Sequence, residues 1–312
     1  EQQTTSSQSM STFTAKDLCA AQDVVLLRAD MTVEEGLHCL TKAGVLSAPI
    51  CDADGKWVGL VDHLDILFWA MQVSTAPVHS KTSPISTDVT RDDVGMVMQR
   101  MHEFSFAQLD HGITNLSQLN PFRTIAADAA VAAVLELFGD GCHRAVVLDA
   151  EGKPAHILTQ SRVLEHLNAY PDRFGSAGNK TLEELGLLSN VISCKAAEKA
   201  VTAFRRMMGH RVSAVAVTDD SGKLVANLSA TDIKLVRQFQ YDALLDSVEK
   251  YLRAGREFGG NLVACTADCT LADAVRQMVE AHVHRVYVVD ANMHAVGIVT
   301  LSDVARLLAA SQ

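Results

Sequence analysis

The residues best able to do chemistry in this chain sit in a recurring phrase. A hydroxyl or carboxylate is followed three residues later by a charged side chain at Thr300 and Asp303, Ser229 and Asp232, Thr159 and Arg162, and Asp62 and Asp65. An ionised carboxylate only accepts hydrogen bonds, so it suits a ligand that offers donors. A helix N-terminus beside it offers N–H donors and the positive end of a dipole to an anion. The same aspartates can equally cap helices, and any one spacing alone leaves both readings open. A second set is basic: His143 and Arg144, His210 and Arg211, and His284 and Arg285 each precede an apolar, strand-like run. A guanidinium can grip phosphate bidentately, whereas an isolated His-Arg pair at the start of a strand is commonly just solvated. Recurrence inside one phrase favours the ligand reading for both sets, less so for His210 and Arg211, which stand one or two positions early.

Other signals decline. The glycine-rich stretch 255–261 lacks the GxxxxGK[ST] pattern and precedes a strand, so it reads as a turn. Twelve histidines and seven cysteines form no HExxH or CxxC grouping, so no metal site is expected. No GxSxG or Cys-His-Asn arrangement speaks for catalysis, and the chain is read as a non-enzyme. The methionines, such as Met207, Met208 and Met278, read as core filler, and Trp57 and Trp69 as packing residues.

The elements that must position the phrase are clearest in the C-terminal stretch. There Leu262 to Cys265 is extended, Thr270 caps a helix with apolar Leu271, Ala274, Val275, Met278 and Val279, strands run from Arg285 to Val289 and from Ala295 to Val299, and Ser302 and Asp303 open a last helix. The order is β-α-β-β-α. Copies recur from Val191, Phe122 and Val24, and the aligned residues Asp65, Arg162, Asp232 and Asp303 are 97, 70 and 71 positions apart. The predicted layout is a flexible leader at 1–11 and repeats at 12–71, 122–169, 191–240 and 262–312, joined by 72–121, 170–190 and 241–261. The insert after the first repeat holds a Ser/Thr/Pro-rich linker at 74–86 and a helix over 92–103. One such unit buries too little apolar surface alone, so repeats should pair, sheet to sheet and helix to helix, into two modules.

Composition limits the partners. The chain has 312 residues and a net charge of -10, which speaks against a broad grip on nucleic acid or an anionic membrane. Any polyanion must therefore meet a local basic pocket. Apolar runs are far shorter than the roughly 20 residues of a membrane span, so a soluble, membrane-free protein of the cytoplasm, or also the nucleus, is expected. An odd set of cysteines in apolar context fits a reducing compartment.

The phrases MVEAHVHRVYVVD with GIVTLSD, HRVSAVAVTD, ILTQSRVLEHL, and TLEEL at Thr181 to Leu185 resemble the cystathionine-beta-synthase (CBS) domain family. The chain looks like two Bateman modules similar to the gamma subunit of AMP-activated protein kinase. Arg162 carries weight here, because the gamma family likewise replaces the aspartate with arginine in its second repeat. The resemblance implies an α/β (α+β repeat) fold in a disc-like, pseudo-symmetric array, with AMP, ADP or ATP as ligand and no cofactor. It implies ribose bound by Asp232, Asp303 and Asp65, phosphate bound by His143, Arg144, His284, Arg285, Arg162 and Arg211, and Ser229, Thr231, Thr300, Ser302 and Thr159 as pocket hydroxyls. The basic residues would converge on a central channel. Asp62, where the family has Thr, would repel phosphate, and Leu46 stands where the family has a nucleotide-contacting arginine. The implied role is energy sensing on behalf of a protein kinase with catalytic and scaffold subunits. The alternative is a stand-alone four-repeat protein, similar to fungal CBS proteins linked to phosphatase control, with weak or no nucleotide binding.

Overall fold

The repeated phrase folds four times into the same unit. The structure, a computed structural model, describes residues 13–19, 24–45, 47–62, 65–66, 99, 101–108, 123–188, 190–235, 241–260 and 262–310. Leu46, Trp69, the 74–86 linker, the leader and most of the helix expected over 92–103 lie outside them.

In chain order the first repeat contains β1 (Leu27–Arg28), α1 (Val33–Ala43), β2 (Ser47–Cys51) and β3 (Trp57–Asp62). The second contains β4 (Thr124–Ala126), α2 (Val131–Gly139), β5 (Arg144–Leu148), β6 (Pro154–Thr159) and α3 (Gln160–Ala169). The third contains β7 (Ser193–Lys195), α4 (Ala200–His210), β8 (Ala214–Thr218) and β9 (Leu224–Ser229), continues as a 3-10 turn over Ala230–Leu235, and is followed by α5 (Val248–Arg253). The fourth contains β10 (Ala264–Cys265), α6 (Leu271–Glu280), β11 (Arg285–Val289), β12 (Ala295–Thr300) and α7 (Leu301–Ala310). Each forms a three-stranded sheet whose middle strand runs parallel to the first and antiparallel to the third.

The hairpins share one turn chemistry. Asp149 Oδ1 accepts the N–H of Glu151 and of Lys153 at 3.1 and 2.7 Å, and Asp52 and Asp290 do the same in their own repeats. The residue three past the aspartate has positive φ: Gly55, Gly152 and Gly222 at 76°, 74° and 86°, but Met293 at 65° in the fourth repeat. Glycine meets no Cβ penalty there.

Short arms tie each helix start. Thr32 and Glu35 form a reciprocal capping box on α1, and Thr270 caps α6 as its sequence predicts. Backbone carbonyls from outside the repeat take further N–H groups: Phe104 O from Val33, Asp246 O from Ala200 and Lys180 O from Leu271. The arm before the first repeat binds the second, with Ala15 N donating to Ala129 O at 2.8 Å. The arm before the third binds the fourth, with Leu182 N donating to Cys269 O at 2.9 Å. The molecule is therefore two copies of a two-repeat unit laced by equivalent segments.

Packing between repeats corrects one expectation. The sheets of repeats three and four pack face to face through Ala216, Leu224, Tyr287 and Val289, and the Tyr287 hydroxyl donates to Asn227 Oδ1 at 2.7 Å. The helices of the fourth repeat, however, join those of the second in one apolar core that includes Val134, Leu135, Phe138, Val304 and Leu308. Sheet contacts thus pair three with four, whereas helix contacts bridge the two halves. A sheet and a helix layer expose apolar surface on opposite sides of a repeat, so one neighbour cannot cover both. No helix among the described residues is long and apolar enough to cross a membrane.

Candidate functional site

One antiparallel rung recurs at the inner end of every sheet: Ser47 opposite Asp62, Arg144 opposite Thr159, Ala214 opposite Ser229 and Arg285 opposite Thr300. All eight residues line a single cavity of about 920 Å³, within the range of small-molecule sites. Strand register creates this convergence, because each rung is the first pair of its middle strand and the last of its return strand.

The cavity gathers Arg144, Arg162, Arg211, Arg285 and Arg306 with His143, His156, His282 and His284, against the carboxylates Asp62 and Asp303. A chain of net charge -10 thus concentrates cations in one concave place, the arrangement that focuses an anion. Thr159, Ser229, Thr231, Thr300 and Ser302 add hydroxyls to the wall.

Local structure sets each charge. Arg144 Nη1 lies 3.3 Å from Asp62 Oδ2 in the first repeat, and Arg285 Nη2 donates to Ser213 Oγ in the third at 3.0 Å. Each arginine thus reaches into the neighbouring repeat of its own half. The His284 imidazole is held down to about 4, first by burial, then by Arg285, Arg144 and His143. His284 is nevertheless exposed to solvent in the cavity it lines, and that water moderates the shift. His143 is lowered by burial against the opposing pull of Asp62. In both rings the charged form is thus disfavoured.

Arg211 has φ of 53° at the end of α4, the left-handed pivot that Gly44 and Gly141 hold in the first two repeats and His282 in the fourth. Its strand begins at Ala214. The counterparts of His284 and Arg285 in repeat three are therefore Ser213 and Ala214, not His210 and Arg211. Arg211 still lines the cavity, from a different position.

The three aspartates diverge. All accept the backbone N–H of the residue three before them: Asp65 from Asp62 at 2.9 Å, Asp232 from Ser229 at 2.8 Å and Asp303 from Thr300 at 2.9 Å. Only Asp303 also lines the cavity. Its Oδ2 accepts the Thr300 hydroxyl at 2.6 Å, and Arg306 Nη1 lies 3.2 Å from its Oδ1. Asp232 is buried in a two-point pair with Arg256, whose Nε and Nη2 lie 2.9 and 3.1 Å from its two oxygens. A ribose at Asp232 would have to displace that guanidinium. Asp65 is buried and is bound reciprocally to Asp62, whose Oδ1 accepts Asp65 N at 2.9 Å.

Several hydroxyls are engaged locally. Thr159 accepts Arg162 N at 3.3 Å, Ser302 accepts Gln160 Nε2 at 2.9 Å, and Ser229 and Thr231 meet at 2.9 Å. Arg162 is paired with Glu165 at 2.6 Å while it lines the cavity. Among the described residues no His, Cys, Asp or Glu cluster could hold a metal ion.

Sequence reasoning missed Arg256, Arg306 and Gln160. Arg306 was within reach, three residues past Asp303 on one helix. Arg256 approaches from a turn 24 positions downstream of Asp232, and no local spacing announces it.

The CBS domain family matches residues 15–71, 117–169, 182–237 and 259–310, which is well over half of the chain. Protein SDS23 of Eremothecium gossypii is 25 % identical over 291 residues, covering 85 % of this chain and 57 % of its own length. The SNF1-related protein kinase regulatory subunit gamma-1 of Arabidopsis thaliana is also 25 % identical, covering 92 % of this chain and 79 % of its own. The chain thus spans little more than half the length of its fungal relative. Among solved structures, protein MJ1225 of Methanocaldococcus jannaschii superposes with a TM-score of 0.70 at 17 % identity over 94 % of this chain and 99 % of that one. This last likeness is one of fold. With four matched segments lying on four equivalent sheets around one cavity, the chain belongs to the CBS-domain family.

Proposed function

We propose that this chain is a non-catalytic regulatory protein that binds an adenine nucleotide, AMP, ADP or ATP, in the central cavity and passes its occupancy to a partner protein kinase with catalytic and scaffold subunits. The observation that carries the reading is the convergence of four equivalent rungs on one arginine-rich cavity in an acidic chain. In this reading Arg285 and Arg144, together with Arg162 and Arg211, receive phosphate. His143 and His284 sit beside it, and Asp303 accepts the ribose hydroxyls, because of Asp65, Asp232 and Asp303 it alone lines the cavity. Thr300, Ser229, Thr231, Ser302 and Thr159 supply secondary contacts. The ligand acts through its different affinity for two arrangements of the halves, or of a partner docked on them. The kinase partner rests on the named role of the Arabidopsis relative.

A second reading is a stand-alone interaction protein in which nucleotide is weak or absent. Two side chains of the protein itself favour it, since Asp62 occupies Arg144 and Arg256 occupies Asp232. Isothermal titration with AMP and ATP separates the readings: measurable heat that Asp303→Ala weakens supports the first, and no heat at millimolar nucleotide refutes it. Recovery of a kinase heterotrimer from native extract would then assign the partner.

A further inference from the structure

At the inner end of the return strand three repeats place a hydroxyl, Thr159, Ser229 or Thr300, and the first places Asp62. Asp62 Oδ1 accepts the backbone N–H of Asp65 at 2.9 Å, while Oδ2 turns to Arg144 Nη1 at 3.3 Å. Both side chains are largely withdrawn from water, 8 % and 13 % exposed. Arg285, the equivalent of Arg144 in the other half, meets a neutral hydroxyl instead, Ser213 Oγ at 3.0 Å. The two arginines flank His143 and His284 closely enough that each acts on both rings. The cavity wall is therefore asymmetric in charge although it is nearly symmetric in backbone.

We propose that Asp62 is a built-in counter-ion that neutralises Arg144, directs an incoming phosphate to Arg285, and makes the cavity prefer a short phosphate chain to a long one. This rests on the nucleotide reading above. A carboxylate fixed by its own strand meets Arg144 without the entropy cost of association, so a free phosphate competes poorly for that guanidinium. A monophosphate seated at Arg285 avoids Asp62. A triphosphate long enough to reach toward Arg144 brings further negative charge up to the carboxylate, in surroundings where water screens poorly.

The test is titration of the full chain with AMP, ATP and inorganic tripolyphosphate. Asp62→Asn keeps the capping oxygen and removes the charge, and Asp62→Ser restores the hydroxyl of the other repeats. Both should bind ATP and tripolyphosphate about tenfold more tightly than the parent, the size of one unit-charge interaction across about 10 Å at an effective dielectric constant of about 20, with a much smaller change for AMP. The gain should vanish in Asp62→Asn combined with Arg144→Ala. An equal gain for AMP and ATP, no gain in either variant, or a gain that persists without Arg144 overturns the proposal, as does failure of every form to bind tripolyphosphate. Because tripolyphosphate has no adenosine, a gain seen with it alone upholds the role of Asp62 and refutes the nucleotide reading. Nucleotide binding that ignores Asp62 does the reverse.

Discussion

Arg256 and Asp232 decide whether the aspartate of the third repeat fastens the fold or binds a ligand. The substitution Arg256→Met keeps the aliphatic stem and removes the charge, while Asp232→Asn keeps the shape and removes the counter-charge. The two side chains are 14 % and 5 % exposed. The pair therefore follows the behaviour of buried ions, where loss of one partner costs about 3–5 kcal/mol, and not that of surface pairs at about 0–1 kcal/mol. The two variants should sit at opposite ends of the range. Without Arg256 the carboxylate still accepts Ser229 N at 2.8 Å and Ser229 Oγ at 2.9 Å, so the cost should be near about 3 kcal/mol. Without the Asp232 charge, a buried guanidinium is left whose Nη1 already has no hydrogen-bond partner among the described residues, and the cost should approach about 5 kcal/mol. Urea unfolding followed by far-ultraviolet circular dichroism suits the measurement, because Trp57 and Trp69 both lie in the first repeat and report poorly on the third. If both variants unfold within about 1 kcal/mol of the parent, the pair is not the fastener argued here. Loss of nucleotide binding in Asp232→Asn at unchanged stability would refute the reasoning more directly, since it would make Asp232 a ligand group.

Two further outcomes follow from the geometry. A Cβ at Gly139 would lie 2.8 Å from Arg306 Cα and 3.1 Å from its nitrogen, so Gly139→Ala should push α2 off α7 and destabilise the contact between repeats two and four by about 1–3 kcal/mol; an unchanged melting temperature would refute it. His284 is depressed to about 4 from an ordinary 6.5, and an arriving phosphate favours its charged form, so binding should take up a proton and tighten as pH falls from 6.5 toward 4. Calorimetry in buffers of different ionisation enthalpy reads that uptake, and buffer-independent heats across this window would count against His284 as a phosphate neighbour.

What the sequence determined by itself was local and periodic. The spacing of Leu271, Ala274, Val275 and Met278 predicted α6, Arg285 to Val289 is β11 residue for residue, and Thr270 caps where its side chain implied. The four-fold recurrence of the phrase carried the family, and its leading residues Asp62, Thr159, Ser229 and Thr300 are the ones that meet in the cavity, because strand period and hairpin register translate directly into which residues share a rung. Tertiary structure decided where each charge is spent. Asp232 and Asp303 look alike in sequence, yet one is held by Arg256 across 24 positions and the other faces the cavity. Asp62 was legible as an oddity, but its partner Arg144, 82 positions away, was not. Helices of repeat two covering repeat four likewise depend on how whole units stack. Propensity and periodicity act over a few residues and leave a record in the sequence, whereas the electrostatic partner of a buried group is fixed by distance in space, which only the folded chain defines.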